Sequence, residues 1–308
     1  MFEDSDFRQS NVLVTGASGF IGSRLCERLV GYGATVHGIS REHRDDATVS
    51  RWWKADLEDE KSTRQVVQAV DPDIIFHLAS FVSGKREIEF VLPALRNNLI
   101  STVNLLVAAT ESGCPKVVLT GSLEEAEGDI ETATPSSPYA AAKGAASEYA
   151  RMFHALYGTP VATARLFMVY GPNQKDLTKL VPYVTLSLLR GELPNLMSGT
   201  REIDWIHVDD VVDAYLAIAR NNGLNGETVD VGSGAMTSVR SVVEHLVEII
   251  LPDAQLEFGG VADRPLERVR VADIGRTYKL TGWKPRITLA DGLAQSVDWY
   301  RNNSRICR

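Results

Sequence analysis

Short β-branched runs alternate with helical patterns in the first half of this chain, and this alternation limits the fold more than any other feature. It is typical of a parallel sheet whose strands are joined by crossover helices. The predicted strands are Asn11–Thr15, Thr35–Ile39, Ile74–Leu78, Lys116–Thr120 and Val161–Phe167. The helices predicted between them are Phe20–Val30, Asp59–Val70, Val91–Ser112 and Tyr139–Tyr157. The sequence therefore predicts an α/β fold with a doubly wound parallel sheet, whose ligands bind beyond the carboxyl ends of the strands.

A glycine-rich loop joins the first predicted strand to the first predicted helix. It has the sequence Gly16-Ala17-Ser18-Gly19-Phe20-Ile21-Gly22. Amides at a helix start can bind a pyrophosphate, and glycine lets the backbone approach it closely. A tight turn without a ligand is the alternative, but the strand before and the helix after favour dinucleotide binding. The cofactor contacts predicted here are Gly16, Ser18, Gly19, Phe20, Ile21 and Gly22.

The regular alternation ends near Gly171-Pro172. Beyond it we predict helices at Leu177–Arg190, Val211–Asn221 and Val239–Ile250, with short extended pieces between them. We therefore predict a dinucleotide-binding domain of the Rossmann type over residues 1–172 and a smaller, mainly substrate-binding lobe over residues 173–308. The strand predicted at Thr228–Val231 is expected to return to the main sheet.

The end of the second predicted strand bears on the choice of dinucleotide. A carboxylate at this position would bind the ribose hydroxyls, whereas an arginine accommodates a 2′-phosphate. The sequence Gly38-Ile39-Ser40-Arg41 has no acid there, and Arg44 follows closely. Ser40 and Arg41 therefore favour NADP(H) over NAD(H), with a solvated basic turn as the alternative.

Further cofactor contacts are predicted at the ends of two other strands. Asp56 and Leu57 follow an apolar tryptophan pair, and Asp56 either meets the adenine edge or caps a helix. Leu78 and Ala79 end the third strand of the alternating pattern and are assigned to the cofactor as well. His77, beside them, is expected to be a packed, hydrogen-bonded residue rather than a catalyst or a ligand.

Tyr139 and Lys143 are four residues apart in a predicted helix, so their side chains lie on one face. A tyrosine has an ordinary pKa of about 10, so a base near neutral pH needs a shift of ~3 units. A cation about 4 Å away supplies on the order of 4 kcal/mol, which is sufficient. On local pattern alone, however, such a pair also occurs by chance.

Composition excludes several other classes of function. A net charge of −8 argues against a broad nucleic-acid surface. Neither the three cysteines (Cys26, Cys114 and Cys307) nor the six histidines show disulfide or metal-ligand spacing, so no metal is predicted. The polar stretch Met1 to Ser10 does not resemble a signal peptide, and no later stretch approaches a membrane-spanning length. We therefore expect a cytoplasmic protein.

Four motifs in a fixed order resemble those of the extended short-chain dehydrogenases/reductases, specifically the nucleotide-sugar epimerases, dehydratases and reductases. The first is the glycine loop, and the resemblance runs from about residue 11 to about residue 300. The others are Tyr139-x-x-x-Lys143 after Ser136-Ser137-Pro138, Arg165-Leu166-Phe167-x-x-Tyr170-Gly171-Pro172, and Asp204-Trp205-Ile206-His207-Val208-Asp209-Asp210.

The resemblance implies a role for each residue of the predicted catalytic group. Tyr139 is implied to be the acid/base, and Lys143 to bind the nicotinamide ribose and lower the tyrosine pKa. Ser122 is implied to hydrogen-bond the substrate oxygen. In that scheme a hydride moves between C4 of a nucleotide-activated sugar and the nicotinamide. A non-catalytic dinucleotide sensor, which needs only the glycine loop, is the alternative from another class.

The stretch Gly121-Ser122-Leu123-Glu124-Glu125 bears on the type of reaction. Dehydratases of this family have acids here, and simple epimerases usually have none at the Glu124 position. Glu124 is present, but Leu123 stands where one dehydratase class has aspartate. The run looks more like that of 4-keto-6-deoxy sugar nucleotide reductases, so we predict an NADP(H)-dependent reductase with catalytic Glu124. A 4-epimerase or a 4,6-dehydratase is the alternative, and Glu124 can equally lie on a solvated loop.

The substrate diphosphate needs cationic or polar partners. The resemblance points to Arg264 in Arg264-Pro265-Leu266-Glu267, and a guanidinium can bind phosphate oxygens in a bidentate manner. Ile203 stands where relatives often have an arginine, and Arg201 is a substitute. The substrate contacts predicted are Asn173, Lys179, Arg201 and Arg264.

The helix that carries Tyr139 contains five alanines, and small side chains allow close helix packing. They are Ala140, Ala141, Ala142, Ala145 and Ala146. Family members commonly pair this helix and the one at Val91–Ser112 with their copies, so a homodimer is expected. Packing of these alanines within the monomer alone is the alternative.

Overall fold

A computed structural model describes residues 7–125, 134–262 and 269–303 of the chain. Its main sheet has seven strands in the order β3-β2-β1-β4-β5-β6-β9, and a second sheet has the order β10-β8-β7. The strands are β1 (Asn11–Thr15), β2 (Thr35–Ser40), β3 (Arg51–Lys54), β4 (Ile74–His77), β5 (Val117–Ser122), β6 (Val161–Leu166), β7 (Met168–Tyr170), β8 (Glu202–His207), β9 (Thr228–Val231) and β10 (Met236–Ser238). The helices are α1 (Phe20–Gly31), α2 (Glu60–Val70), α3 (Val91–Ala94), α4 (Ser101–Ser112), α5 (Pro138–Tyr157), α6 (Leu180–Leu189), α7 (Val208–Arg220), α8 (Val239–Ile250), α9 (Ile274–Thr281) and α10 (Leu289–Asn302).

The strand β1 lies inside the main sheet and pairs in parallel with β2 and with β4. Val12, Leu13 and Val14 are all fully buried because helices cover both faces of a parallel sheet, which is why the strand is an unbroken apolar run. The pairs β4–β5 and β5–β6 are parallel as well. The predicted α/β class and doubly wound parallel sheet are therefore confirmed.

The chain forms two compact units. The first comprises Met1–Leu166, Ala214–Val229 and Leu280–Gly282, and the second the remainder from Phe167 onward. The first segment of the first unit thus ends at Leu166. The assignment of dinucleotide binding to residues 1–172 and of substrate binding mainly to residues 173–308 stays a prediction. A later segment, Ala214–Val229, also belongs to the first unit, and β9 lies in the main sheet, where the strand Thr228–Val231 was expected.

The second unit has its own core. Its three-stranded sheet pairs β7 with β8 in parallel and β8 with β10 in antiparallel orientation. Tyr170, Trp205, Leu246 and Leu293 belong to its buried apolar cluster. Sequence patterns did not predict the short strands of this unit, two of which span only three residues and show no alternation. The helices α9 and α10 were missed although their apolar residues recur at helical spacing.

A continuous helical segment, Ile88–Ser112, is long and apolar enough by length and composition to cross a membrane, and a third of its most apolar window is buried in the protein. The expectation that no segment approaches such a length was therefore wrong. Leu105 and Leu106 of this segment are fully buried in the core of the first unit, as in the packed helix of a globular domain. A π-helical turn at Leu95–Ile100 interrupts the segment.

Candidate active site

The glycine loop folds as a close-packed turn between β1 and α1. Gly16 has φ +70°, a left-handed conformation that favours glycine, and an added Cβ would lie 2.7 Å from the Ala79 amide nitrogen. An added Cβ on Gly22 would overlap the Gly16 carbonyl oxygen and lie 2.8 Å from the carbonyl carbon. No side chain caps α1 at Gly19. The amides at this helix start therefore remain available to a phosphate ligand.

A cavity of about 510 Å³ opens beside this loop, at the carboxyl ends of β1, β2 and β4. Of the residues predicted for the cofactor, those that line it are Gly16, Ser18, Gly19, Ser40, Arg41, Asp56, Leu57, Leu78 and Ala79. Phe20, Ile21 and Gly22 start α1 and do not line it, and neither do Tyr139 and Lys143, which were also predicted as cofactor contacts. Lining residues that the sequence did not single out include Glu42, Glu58, Ser80, Asn97 and Ser101. The position and the glycine-walled shape fit a dinucleotide.

The end of β2 presents both positively and negatively charged side chains to the cavity. Arg41, Glu42 and Arg44 all line it and are all exposed. Arg44 also lies over the Trp52 ring, 5.4 Å from the ring centroid, and forms an ion pair with Asp46 at 3.2 Å. The inference that no acid stands at this end of the strand therefore needs correction, because Glu42 lines the cavity two residues after Ser40.

Asp56 does not cap a helix. Its Oδ1 accepts a hydrogen bond from the Glu58 amide at 3.0 Å, within a turn that faces the cavity. The cap of α2 is Asp59, whose carboxylate accepts from the amides of Lys61 and Ser62. Of the two interpretations of Asp56, only the cavity contact is therefore compatible with the structure.

His77 is buried at the end of β4 and hydrogen-bonded at both ring nitrogens. Nδ1 pairs with the Thr15 hydroxyl at 2.8 Å and Nε2 with the Thr102 hydroxyl at 3.0 Å. Burial, aided by the charge of Lys143, lowers the pKa of His77 to about 3. A packed, hydrogen-bonded histidine is what the sequence predicted.

The predicted catalytic residues come together where β5 meets α5. The Ser137 side chain caps α5 and Pro138 starts it, so Tyr139 lies in the first turn and Lys143 one turn later. Lys143 is buried, and its Nζ donates to the Thr120 carbonyl oxygen at 2.9 Å. The Tyr139 hydroxyl is hydrogen-bonded to the side chains of Ser122 and Ser80. Ser122, Tyr139 and Lys143 thus form one cluster.

The surroundings of Tyr139 oppose ionisation. Burial raises the pKa of its hydroxyl above the ordinary value, and the carboxylates of Glu124 and Glu125 add to this, whereas the hydrogen bonds of Ser122 and Ser80 lower it. Burial lowers the pKa of Lys143 to about 8. The raised pKa differs from the expectation that Lys143 lowers it. The neutral phenol can donate a proton, and Tyr139 must ionise, which added positive charge would favour, before it can accept one.

Ser80 and Asn98 extend this cluster. Asn98 is fully buried in the π-helical turn, and its Oδ1 accepts from the Ser80 hydroxyl and from the Phe81 amide, both at 2.8 Å. Its Nδ2 donates to the Phe81 carbonyl oxygen at 3.1 Å. Sequence reasoning missed both residues, because only the insertion of the π turn, a frequent device at functional sites, turns Asn98 toward this strand end.

Glu124 is half-buried in the turn after β5. Its amide donates to the Ser122 hydroxyl oxygen at 3.2 Å, and its carboxylate raises the pKa of Tyr139. Glu124 therefore lies beside the cluster rather than on a fully solvated loop. Its catalytic role stays a prediction.

The predicted substrate residues of the second unit are ordinary in their local contacts. Asn173 has φ +63° and accepts from Lys175, and Lys179 lies 3.9 Å from Asp176 and precedes α6. Arg201 is half-buried at the start of β8. Arg264 lies outside the described residues, as does Glu267 of the same motif.

Asp204 connects two loops of the second unit. Its buried carboxylate accepts hydrogen bonds from the amides of Ser233, Gly234 and Ala272, at 2.6 to 3.0 Å. An added Cβ on Gly232 would lie 2.8 Å from the same carboxylate. The motif that begins at Asp204 therefore has a structural basis of its own. Across the described ranges, no group of three or more His, Cys, Asp and Glu residues could hold a metal ion.

Comparisons with known proteins agree on one family. The model of the NAD dependent epimerase/dehydratase family matches residues 12–232. A UDP-glucose 4-epimerase from Mycolicibacterium smegmatis is 32% identical over 95% of this chain and 99% of its own length. A dTDP-glucose 4,6-dehydratase from Haemophilus influenzae is 28% identical over 96% of this chain and 98% of its own length. The structure of a Thermotoga maritima UDP-glucose 4-epimerase with UDP-glucose superposes with a TM-score of 0.83 and 26% identity, over 96% of this chain and 99% of that one.

Proposed function

This chain belongs to the NAD dependent epimerase/dehydratase family of enzymes, as its motifs predicted, and on that premise we propose that it is a 4-epimerase of a UDP-sugar. The observation that carries the proposal is the cluster of Ser122, Tyr139 and Lys143 beside a glycine-walled cavity. A dinucleotide sensor needs the cavity but not the cluster, so the cluster favours an enzyme.

Each residue of the cluster has a distinct task in this proposal. A nicotinamide dinucleotide held by the residues that line the cavity would supply the hydride acceptor, and return of the hydride to the opposite face of C4 would invert that carbon. As a tyrosinate, Tyr139 takes the proton of the C4 hydroxyl when the hydride leaves, and as the resulting neutral phenol it gives that proton back when the hydride returns. Ser122 hydrogen-bonds the same sugar oxygen, and the Lys143 ammonium group stabilises the tyrosinate that forms.

Two observations favour epimerisation over dehydration. Removal of water across C5 and C6 needs an acid and a base beyond Tyr139, and Leu123 is an apolar, buried residue where one dehydratase class has aspartate. The UDP-glucose 4-epimerase of Mycolicibacterium smegmatis is also more similar to this chain than the dTDP-glucose 4,6-dehydratase of Haemophilus influenzae, at 32% against 28% identity.

A 4-keto-6-deoxy sugar nucleotide reductase is the second candidate. It is supported by the Gly121-Ser122-x-Glu124-Glu125 run and by the two arginines, Arg41 and Arg44, that line the cavity. A reductase consumes one NADPH for each product, whereas an epimerase returns its cofactor unchanged.

The test is to incubate the purified protein with UDP-glucose, UDP-galactose, UDP-glucuronate and a 4-keto-6-deoxy sugar nucleotide, with NAD⁺, NADP⁺ or NADPH. We expect C4-inverted product without net change in nicotinamide absorbance. Stoichiometric loss of NADPH would instead identify the reductase, and a 4-keto product the dehydratase. A protein that converts none of them, and whose melting temperature none of them raises in the presence of cofactor, would contradict all three activities.

For the cofactor we propose a preference for NADP(H) over NAD(H). A charge-assisted hydrogen bond contributes about 1.5–3 kcal/mol, which is a tenfold to hundredfold difference in affinity. Arg41→Ala should therefore raise the Kd for NADPH by about that factor and change the Kd for NADH little. Fluorescence titration of both cofactors measures this. Arg51→Ala, an exposed arginine over the Trp53 ring outside the cavity lining, is the matched control. Equal wild-type affinities for the two cofactors would contradict the preference.

For the substrate diphosphate we propose Arg264, with Asn173, Lys179 and Arg201 as further contacts. A diphosphate carries several negative charges at neutral pH, and guanidinium groups bind its oxygens in pairs. Replacing Arg264 by methionine in the activity assay should raise KM more than it lowers kcat, since the contact persists through the reaction.

We also propose that the protein is a homodimer. Three of the five alanines on α5, namely Ala140, Ala142 and Ala146, are buried within the monomer. Larger apolar side chains are exposed on α5 and on the segment Ile88–Ser112. These exposed side chains support a dimer better than the alanines do. The most exposed are Ile88 (82%), Leu92 (55%), Leu156 (67%) and Tyr157 (58%).

Light scattering at micromolar concentration should give twice the mass of one chain for the wild type. The Leu92→Glu variant should give the mass of one chain. The matched control is Leu193→Glu, at a 60% exposed leucine on neither helix, which should keep the dimer mass. A monomeric wild type would contradict the proposal.

A further inference from the structure

Glu125 is a buried carboxylate directly behind the catalytic cluster, and neither the sequence motifs nor the proposed reaction gives it a task. Its residue is only 5% exposed. Oε1 accepts from the Ser122 amide at 2.6 Å, and Oε2 accepts from the Ser147 hydroxyl at 3.0 Å. Ser122 ends β5, and Ser147 lies one turn after Lys143 on α5. One carboxylate therefore connects the strand and the helix that carry the cluster.

The backbone leaves room for this carboxylate at Gly121. An added Cβ there would lie 2.7 Å from Oε1 of Glu125 and 2.9 Å from a methyl group of Thr163. Any other residue would displace either the carboxylate or the neighbouring strand. The glycine before Ser122 is thus explained by Glu125 and not by the approach of a ligand.

The pKa values of Glu125 and Lys143 depend on each other. Lys143 and Arg165 face it and lower its pKa, as do the hydrogen bonds from Ser122 and Ser147, but burial is the largest influence and raises it. Conversely, burial lowers the pKa of Lys143, and the charge of Glu125 opposes that effect. Other titratable groups around Lys143 are Tyr139 on the same helix, the neutral His77 on β4, and Tyr215 on α7, whose hydroxyl pairs with Thr120 beside the carbonyl that accepts from Lys143. The negative charge of Glu125 therefore opposes the lowering of the Lys143 pKa by burial.

We propose that Glu125 is a positioning residue that holds the end of β5 to α5 and keeps Lys143 in its ammonium form. Its burial and its two hydrogen bonds keep it from the substrate, so it acts through Ser122 and Lys143. The proposal rests on the proposed function for the importance of Lys143, but the charge state of Lys143 can be measured without any substrate.

The test is the pH titration of Lys143 in full-length protein labelled with [ε-¹³C]lysine. The resonance absent from a Lys143→Met variant identifies this residue, and a Tyr139→Phe background removes the titration of the phenol. Glu125→Gln keeps the shape and both hydrogen-bond contacts, because the Ser147 hydroxyl can accept where it donated before. Without the charge, the Lys143 midpoint should fall by about one pH unit.

Two variants separate charge from packing. Ser147→Ala removes one hydrogen bond but keeps the carboxylate, and should leave the Lys143 midpoint unchanged. Glu125→Asp keeps the charge and should restore most of the wild-type midpoint. If Glu125→Gln does not fold, the protein with Glu125 intact still provides a test. The titration curve of the Lys143 resonance must then show a second inflection at the pH where Glu125 titrates, which lies above the usual range of a glutamate. An unchanged midpoint in Glu125→Gln, or no second inflection, would overturn the proposal.

Activity provides an independent measurement. In Glu125→Gln the basic limb of the pH profile of kcat should move to lower pH, because Lys143 loses its proton earlier, while KM changes little. A lower kcat with an unshifted profile would mean that Glu125 only packs. An enzyme inactive in every variant, but with the Lys143 shift present, would contradict the proposed function and leave the role of Glu125 intact.

Discussion

Tyr139→Phe is expected to lower kcat by about 10²–10⁴-fold, the usual contribution of a positioned acid/base group. The substitution removes a hydroxyl that is hydrogen-bonded to Ser122 and Ser80, and it leaves the ring in place. Because the cavity beside the glycine loop is formed by other residues, the Kd of the dinucleotide should stay nearly unchanged. Steady-state kinetics and cofactor titration on the same preparation measure both quantities.

Tyr215→Phe is the matched control for this change. Tyr215 is fully buried in the same unit, and its hydroxyl pairs with the Thr120 hydroxyl at 2.6 Å. Loss of this hydrogen bond should cost about 0.5–1.5 kcal/mol of unfolding free energy while kcat stays close to wild type. Undiminished turnover in Tyr139→Phe, or equal losses in the two variants, would contradict the acid/base role of Tyr139.

The first unit was predictable because its signals are local. Apolar runs such as Val12–Val14 identify strands buried on both faces, and the glycine spacing identifies a strand-to-helix turn. The helix start at Ser137-Pro138 places Tyr139 and Lys143 on one face without any tertiary information. The strand β3 was missed because Trp52 and Trp53 lack an alternating pattern around them.

The rest of the site depends on contacts between elements that are distant in sequence. Asn98 reaches Ser80 only through a π turn, which no periodicity indicates. Glu124 and Glu125 are neighbours in one turn. Only the fold determines that the carboxylate of Glu125, and not that of Glu124, is buried behind Ser122. The motif at Asp204, attributed by resemblance to the substrate lobe, is held by hydrogen bonds to backbone amides of residues 233, 234 and 272. Such contacts follow from topology and not from spacing.

Gly22→Ala is expected to damage both stability and cofactor binding. The added methyl group would overlap the Gly16 carbonyl oxygen, and because both partners are backbone, no side chain can move aside. Overpacking of this kind costs about 1–3 kcal/mol. The strain also displaces the loop whose amides are proposed to bind the pyrophosphate, so the dinucleotide Kd should rise by about tenfold or more, equivalent to about 1.4 kcal/mol. Urea unfolding and cofactor titration measure the two effects.

Gly31→Ala is the control for this substitution on the same helix. Gly31 is the last residue of α1, and an added Cβ there meets no atom within 4 Å. The methyl group should therefore be neutral, or stabilise by up to about 1 kcal/mol through helix propensity, with unchanged cofactor affinity. If Gly22→Ala behaved like Gly31→Ala in both measurements, the close contact between α1 and Gly16 would be wrong. If only stability fell, the packing would stand, and the proposal that the loop binds the pyrophosphate would be contradicted.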